Sequence, residues 1–107
     1  MELSEAKRRL IDRVEADREE IIGFLVGFLR ARSPNPPGDT REAATYVTDY
    51  LDSKGVEYDV VGPDPEKPNI VSGFKARRRG RRLILNGHMD VFPVGGGEGW
   101  SHDPWGG

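Results

Sequence analysis

Two side chains stand out for what their types and spacing can do. His88 and Asp90 lie two residues apart in Leu83-Ile84-Leu85-Asn86-Gly87-His88-Met89-Asp90-Val91-Phe92-Pro93, just after a short apolar run. In extended backbone, residues i and i+2 share a face. An imidazole can bind a divalent metal through one nitrogen while its other N–H donates to a carboxylate that orients the ring. Asp90 fits that orienting role directly or through the local turn. Gly87 lets the backbone bend and a ligand approach. Taken alone, His-x-Asp is a common pairing, and such pairs more often sit on a surface than in a metal site. The surroundings must decide.

There is no cysteine, so disulfides, thiol nucleophiles and Cys-ligated metals are excluded. Any metal must be held by His and carboxylate, and His102 is the only other histidine. The formal charge of −2 gives no reason to expect a nucleic-acid partner. The length of 107 residues suits one small domain with a thin core. No apolar run approaches the roughly 20 residues that span a bilayer. The acidic start, Met1-Glu2-Leu3-Ser4-Glu5, lacks a signal peptide's apolar core. A cytoplasmic protein is expected.

The elements that must position the pair can be read in order. Residues 2–32 carry Leu3, Ala6, Leu10, Val14, Ile21, Leu25 and Phe28 at helical spacing, interrupted at Asp17. One long helix, or two joined near Ala16-Asp17, would fit. Residues 2–20 are charged, and residues 1–17 read as a charged helical extension. Residues 21–29 are apolar nearly all round and are expected to be buried. Gly23 and Gly27 allow local close packing. Ser33-Pro34-Asn35-Pro36-Pro37-Gly38 ends the helix in a stiff, extended segment.

Asp39, with Glu42 three residues on, is predicted to cap the next helix. Its buried stripe is Ala43, Val47, Tyr50 and Leu51, and Lys54-Gly55 closes it. Strands are predicted over residues 56–61, 69–74 and 82–86. The last two are joined by a basic linker that reads as a solvated turn rather than an anion site. The expected fold class is α/β, with two N-terminal helices packed on a mixed sheet. From Val94 the chain is a glycine-rich loop carrying Trp100 and Trp105, which need a surface to bury against. Glu98 reads as a solvated loop charge. His102 and Asp103 are poor candidates for extra ligands, because ordering this loop costs backbone entropy.

Gly87-His88-Met89-Asp90 with Pro93 resembles the G-H-x-D-x-x-P signature of the M20 family of metallopeptidases and deacylases, which includes acetylornithine deacetylase and succinyl-diaminopimelate desuccinylase. Trp100-Ser101-His102-Asp103-Pro104-Trp105 is similar to that family's W-x-x-x-P-F/W element. Ser33 to Gly38 resembles the stretch after its first helix, and Lys67-Pro68-Asn69-Ile70-Val71 the start of a later strand. The likeness runs over residues 18–107. It implies the start of a zinc-peptidase-like catalytic domain that hydrolyses amide bonds in peptides or N-acyl amino acids. It implies two zinc ions in the full-length site, with cobalt as a substitute, His88 as a metal ligand and Asp90 as a catalytic residue. No membrane partner is implied, and a homodimer stays open for the full-length form.

In that family the remaining metal ligands and the general-base glutamate lie further along than Gly107. The expectation is therefore an incomplete N-terminal part of the catalytic domain, inactive alone. One histidine falls short of the three or four ligands of a stable zinc site. The alternative is a non-catalytic interaction module using the charged N-terminal helix.

Overall fold

The computed structural model describes residues 4–75, 77 and 80–107. Three helices precede a pair of strands: α1 (Glu5–Ala16), α2 (Arg18–Arg30), α3 (Arg41–Ser53), β1 (Tyr58–Val61) and β2 (Asn69–Ser72). The α/β class holds. Of the two arrangements left open for the N-terminal region, two helices form, and they part at Asp17. The Asp17 carboxylate accepts from Arg13 Nε at 2.6 Å. This fastens the end of α1 rather than continuing its apolar stripe. No helix among the described residues is long and apolar enough to cross a membrane.

α2 and α3 pack through aromatic side chains. Phe24 lies 4.6 Å from Tyr50 and 5.3 Å from Tyr46, centroid to centroid, and stacks on Phe28 at 6.0 Å. The contact is sealed at one end by polar groups. The Tyr50 hydroxyl donates to Glu20 at 2.7 Å, and Lys54 forms an ion pair with the same carboxylate. Lys54, then Tyr50, hold the Glu20 carboxyl below its ordinary value, and Glu20 in turn raises that of Lys54.

The expected all-round burial of residues 21–29 is not found. Ile21, Ile22, Leu25 and Leu29 are 38–52% exposed, because α3 covers only one side of α2. The buried apolar side chains among the described residues are small: Ala31, Ala43 and Ala44.

α3 starts one residue later than a cap at Asp39 requires. Thr40 occupies the N-cap position and makes no side-chain capping bond. Asp39 still serves the helix start, since its carboxylate accepts from the Arg41 backbone N–H at 3.0 Å and from the Arg41 guanidinium at 2.6 Å. That guanidinium pulls the Asp39 carboxyl down to about 2.

β1 and β2 form an antiparallel hairpin in which Tyr58 faces Ser72 and Val61 faces Asn69. The hairpin therefore joins the first two predicted strands, not the second and third. Its loop is tied to the helices by a Thr40 N–H bond to Glu66 O of 2.9 Å. The third predicted strand, residues 82–86, pairs with nothing among the described residues. Leu83, Ile84 and Leu85 are 77–86% exposed. An apolar run becomes a strand only where a neighbouring edge takes up its backbone N–H and C=O groups. Ala76, Arg78 and Arg79 of the basic linker lie outside the described residues.

Candidate functional site

The segment carrying His88 and Asp90 is held by the proline loop that follows α2, not by a sheet edge. Pro34 and Val91 form a single parallel bridge. Val91 N–H donates to Ser33 O at 3.0 Å, and Asn35 N–H donates to Val91 O at 2.8 Å. The Ser33 hydroxyl, in a residue only 3% exposed, donates to Met89 O at 2.5 Å. The loop is closed by a Gly38 N–H bond to Pro34 O of 2.9 Å. Gly38 has φ +81°, a left-handed conformation that favours glycine. Three prolines stiffen this loop, so it can act as a template for a chain that reaches it more than fifty residues later.

Against this template His88 and Asp90 turn toward one another. His88 Nδ1 lies 2.8 Å from the Asp90 carbonyl oxygen and 3.2 Å from Asp90 Oδ1. Both neighbours are acceptors, so Nδ1 carries the proton in the neutral ring. Nε2 is left with its lone pair and makes no hydrogen bond among the described residues. The second carboxylate oxygen of Asp90, Oδ2, accepts from Asn35 Nδ2 at 2.9 Å. The Asn35 amide is the largest influence holding the Asp90 carboxyl below its ordinary value, and the Asp90 backbone N–H and His88 add to it.

This arrangement suits one ligand position for a metal: an oriented neutral imidazole with a bare, exposed nitrogen. It does not make a whole site. No group of three or more His, Asp or Glu side chains that could hold a metal occurs among the described residues. Asp103 is engaged in its own loop, where its carboxylate accepts from Trp105 N–H at 2.9 Å, and His102 Nδ1 lies 2.9 Å from Ser101 Oγ. Glu98 is exposed.

The two tryptophans behave differently. Trp105 is half-buried with the Arg32 guanidinium 5.5 Å from its ring centroid, and Arg30 Nε donates to the neighbouring Gly106 O at 3.0 Å. Trp100 is 55% exposed. The loop thus docks on the C-terminal end of α2 through Trp105. A shallow groove lined by Arg32, Pro34, Pro37, Asp39, Arg41 and Glu42 does not take in His88 or Asp90.

Sequence reasoning identified the pair but gave no role to Ser33 or Asn35, reading their segment as a helix stop and a family-like stretch. A signal was present: a hydroxyl just before Pro34 and an amide between Pro34 and Pro36 have side-chain donors to spare in a segment that cannot be helix or central strand.

No family model matches the chain, and no solved structure matches it. Two curated relatives do. Over 99 residues it is 31% identical to N-formyl-4-amino-5-aminomethyl-2-methylpyrimidine deformylase of Halalkalibacterium halodurans, which covers 90% of this chain and 23% of the relative. Over 96 residues it is 32% identical to the protein of the same name in Bacillus subtilis, covering 87% of this chain and 22% of the relative. The chain spans less than a quarter of the length of these relatives. Matches of that breadth necessarily include the segment from Ser33 to Asp90.

These relatives correct the functional expectations. Both are named for removing a formyl group from a substituted aminomethylpyrimidine, not for cleaving peptides or N-acyl amino acids. The M20 metallopeptidase and deacylase assignment is therefore replaced, and the amide hydrolase of peptides and acyl amino acids with it. The interaction module gains no better support, since both relatives carry an enzyme's name. The physical reason is that the matched elements, the Gly-His-x-Asp signature with the proline loop, the Pro-Asn strand start and the tryptophan loop, specify a local side-chain pair and its supports. They carry nothing that touches the group being released or the acyl group removed.

Proposed function

We propose that this chain is part of a hydrolase that releases formate from an N-formylated aminomethylpyrimidine. The observation that carries the reading is the likeness to two proteins named for that reaction, along nearly the whole of this chain. The site geometry is compatible with it. Hydrolysis of a formamide needs a polarised carbonyl, a delivered water and a proton for the departing amine.

Within these residues His88 is the group that offers a nitrogen lone pair, and Asp90 fixes which nitrogen that is. His88 would hold one position on a zinc or cobalt ion, the other ligands coming from outside the described residues. A divalent ion of that kind supplies carbonyl polarisation and a water of lowered pKa. This chain's own contribution is to orient the imidazole and to place the neutral ring's proton on Nδ1, so that Nε2 faces outward.

The test is a chimera in which these 107 residues replace the matched segment of the B. subtilis relative. Formate release from the formylated pyrimidine, abolished by His88→Ala, is the expected result. A folded chimera that binds zinc yet leaves the formamide intact rejects the reading. The 107-residue chain by itself is expected to release no formate above the uncatalysed rate.

A further inference from the structure

We propose that Asn35 is a positioning residue for this site, its side-chain amide holding the Asp90 carboxylate so that His88 presents Nε2 outward. The inference rests on the reading of His88 as a metal ligand, and it extends that reading to a residue on a different element.

Three features of the structure carry it. The first is the division of labour at Asp90. Oδ2 accepts from Asn35 Nδ2 at 2.9 Å, while Oδ1 faces His88 Nδ1 at 3.2 Å. An exposed aspartate beside a histidine ordinarily samples several rotamers. A donor on its far oxygen selects the one that points the near oxygen at the ring.

The second is that Asn35 is itself fixed. Its backbone N–H is bound to Val91 O at 2.8 Å, next to the residue it positions. Its amide lies against Gly38. A Cβ built on Gly38 would come within 3.1–3.3 Å of the amide carbon, oxygen and nitrogen of Asn35, so the glycine leaves the space that the amide fills.

The third is residue type. A neutral amide donates to the carboxylate without competing for His88. An aspartate at position 35 would repel Asp90, and an alanine would release it. The closer acceptor for His88 Nδ1 is the Asp90 carbonyl at 2.8 Å, so the backbone turn sets the ring roughly and the carboxylate reinforces its tautomer. Asn35 acts only on that second, charged acceptor.

The experiment uses the 107-residue chain and reads His88 directly by long-range nitrogen–proton NMR, which reports the ring tautomer. In the wild-type chain the neutral ring is expected in the Nδ1–H form. In Asn35→Ala, the ratio of Nδ1–H to Nε2–H forms is expected to fall by about five-fold, the size of one net hydrogen bond. Asn35→Asp is expected to lower it at least as far, and Asn35→Gln to restore part of it.

Hydrogen exchange at Val91 N–H monitors the backbone bridge. A tautomer ratio unchanged in Asn35→Ala, with Val91 still protected, overturns the proposal. If Asn35→Ala loses the bridge, Asn35→Asp decides, because it keeps the backbone donor and the side-chain size. An unchanged ratio there overturns the proposal equally.

Zinc added alone to the chimera with the B. subtilis relative, whose remaining length would supply the other ligands, and followed at His88 Nε2, tests the ligand reading separately. Asn35→Ala is expected to weaken zinc binding by up to about five-fold, the fall in the ratio of tautomers that leave Nε2 open. Absence of any zinc effect on wild-type His88, with the tautomer still dependent on Asn35, rejects the ligand reading and leaves the positioning relationship standing.

Discussion

Gly27 of α2 lies beneath the phenol ring of Tyr46 of α3, so closely that a Cβ at position 27 would overlap the ring, its hydroxyl included. Four residues earlier, Gly23 meets nothing within 4 Å. The two glycines therefore separate cleanly in what they are expected to do. Gly23→Ala removes a helix-interior glycine at no steric cost and should stabilise the chain by about 1 kcal/mol. Gly27→Ala gains the same propensity but must push Tyr46 out of its contact with Phe24, for a net loss of about 1–3 kcal/mol. Urea unfolding of the two variants checks this. Equal effects at both positions would mean that the helices do not approach at Gly27.

Ser33→Ala tests the clamp on the site. The hydroxyl is buried and is the donor to Met89 O. Its loss should cost about 1–2 kcal/mol, the worth of a buried hydrogen bond whose acceptor is left partly unmet. Faster hydrogen exchange should accompany it at Val91 N–H, which is bound to the Ser33 carbonyl. Exchange at Val60 N–H, in a strand paired with Asn69–Ser72, should stay at its wild-type rate. A uniform change at both would show general destabilisation instead of a local clamp.

Acid should loosen the start of α3, where the Asp39 carboxylate pairs with Arg41. The Asp39 carboxyl is lowered to about 2, first by the Arg41 guanidinium and then by the Arg41 backbone N–H. A carboxyl lowered on folding contributes stability that is present above its unfolded value, near 4. That contribution is lost as pH falls from about 4 through about 2. The pair is exposed, so salt should weaken the effect. Amide shifts at Thr40 and Arg41, followed over that range, should titrate in the wild-type chain and stay flat in Asp39→Asn. A midpoint at the ordinary aspartate value would remove the Arg41 contact from the account.

How much of this was legible in the sequence depended on how local the cause was. The helix stop at Ser33–Gly38 follows from prolines and is found; the α3 stripe follows from 3.6-residue spacing and is found in part, with Ala43 buried and Val47, Tyr50 and Leu51 half-buried. The Asp39 cap was nearly right, because an aspartate next to a helix start reaches the same N–H groups from either of two positions. Residues 82–86 were misjudged because their strand propensity is local while the edge they need is not. Asn35 escaped notice for a related reason: its partner, Asp90, is 55 residues away. The formylated pyrimidine in the relatives' name was beyond reach, since the motifs read in the sequence specify local side-chain pairs and turns and not a substrate.

Arg32 and Trp105 give a test of the loop's docking. The guanidinium covers the indole face, and at an exposed site such a contact contributes about 0.5–1 kcal/mol. In a Trp100→Phe background, Arg32→Ala should red-shift the remaining Trp105 emission and raise its quenching by acrylamide. The Arg30 bond to Gly106 O should keep the loop from detaching fully. Emission unchanged by Arg32→Ala would mean that the indole is buried by other groups.

Leu83, Ile84 and Leu85 present a run of large apolar side chains, 77–86% exposed. Side chains that cover nothing in this chain contribute nothing to holding it folded, and polar replacements there should sit within about 0.5 kcal/mol of wild type. Their cost falls on solubility, because a contiguous exposed apolar run favours association with other chains. Leu83→Thr with Leu85→Thr should therefore leave the urea midpoint unchanged while lowering the self-association seen by sedimentation. Threonine is chosen because it keeps strand propensity, so that only apolar area is removed. A loss of more than about 1 kcal/mol in the double variant would place these leucines in a packed interior, as a core truncation does. That result would restore the strand that the sequence predicts at residues 82–86.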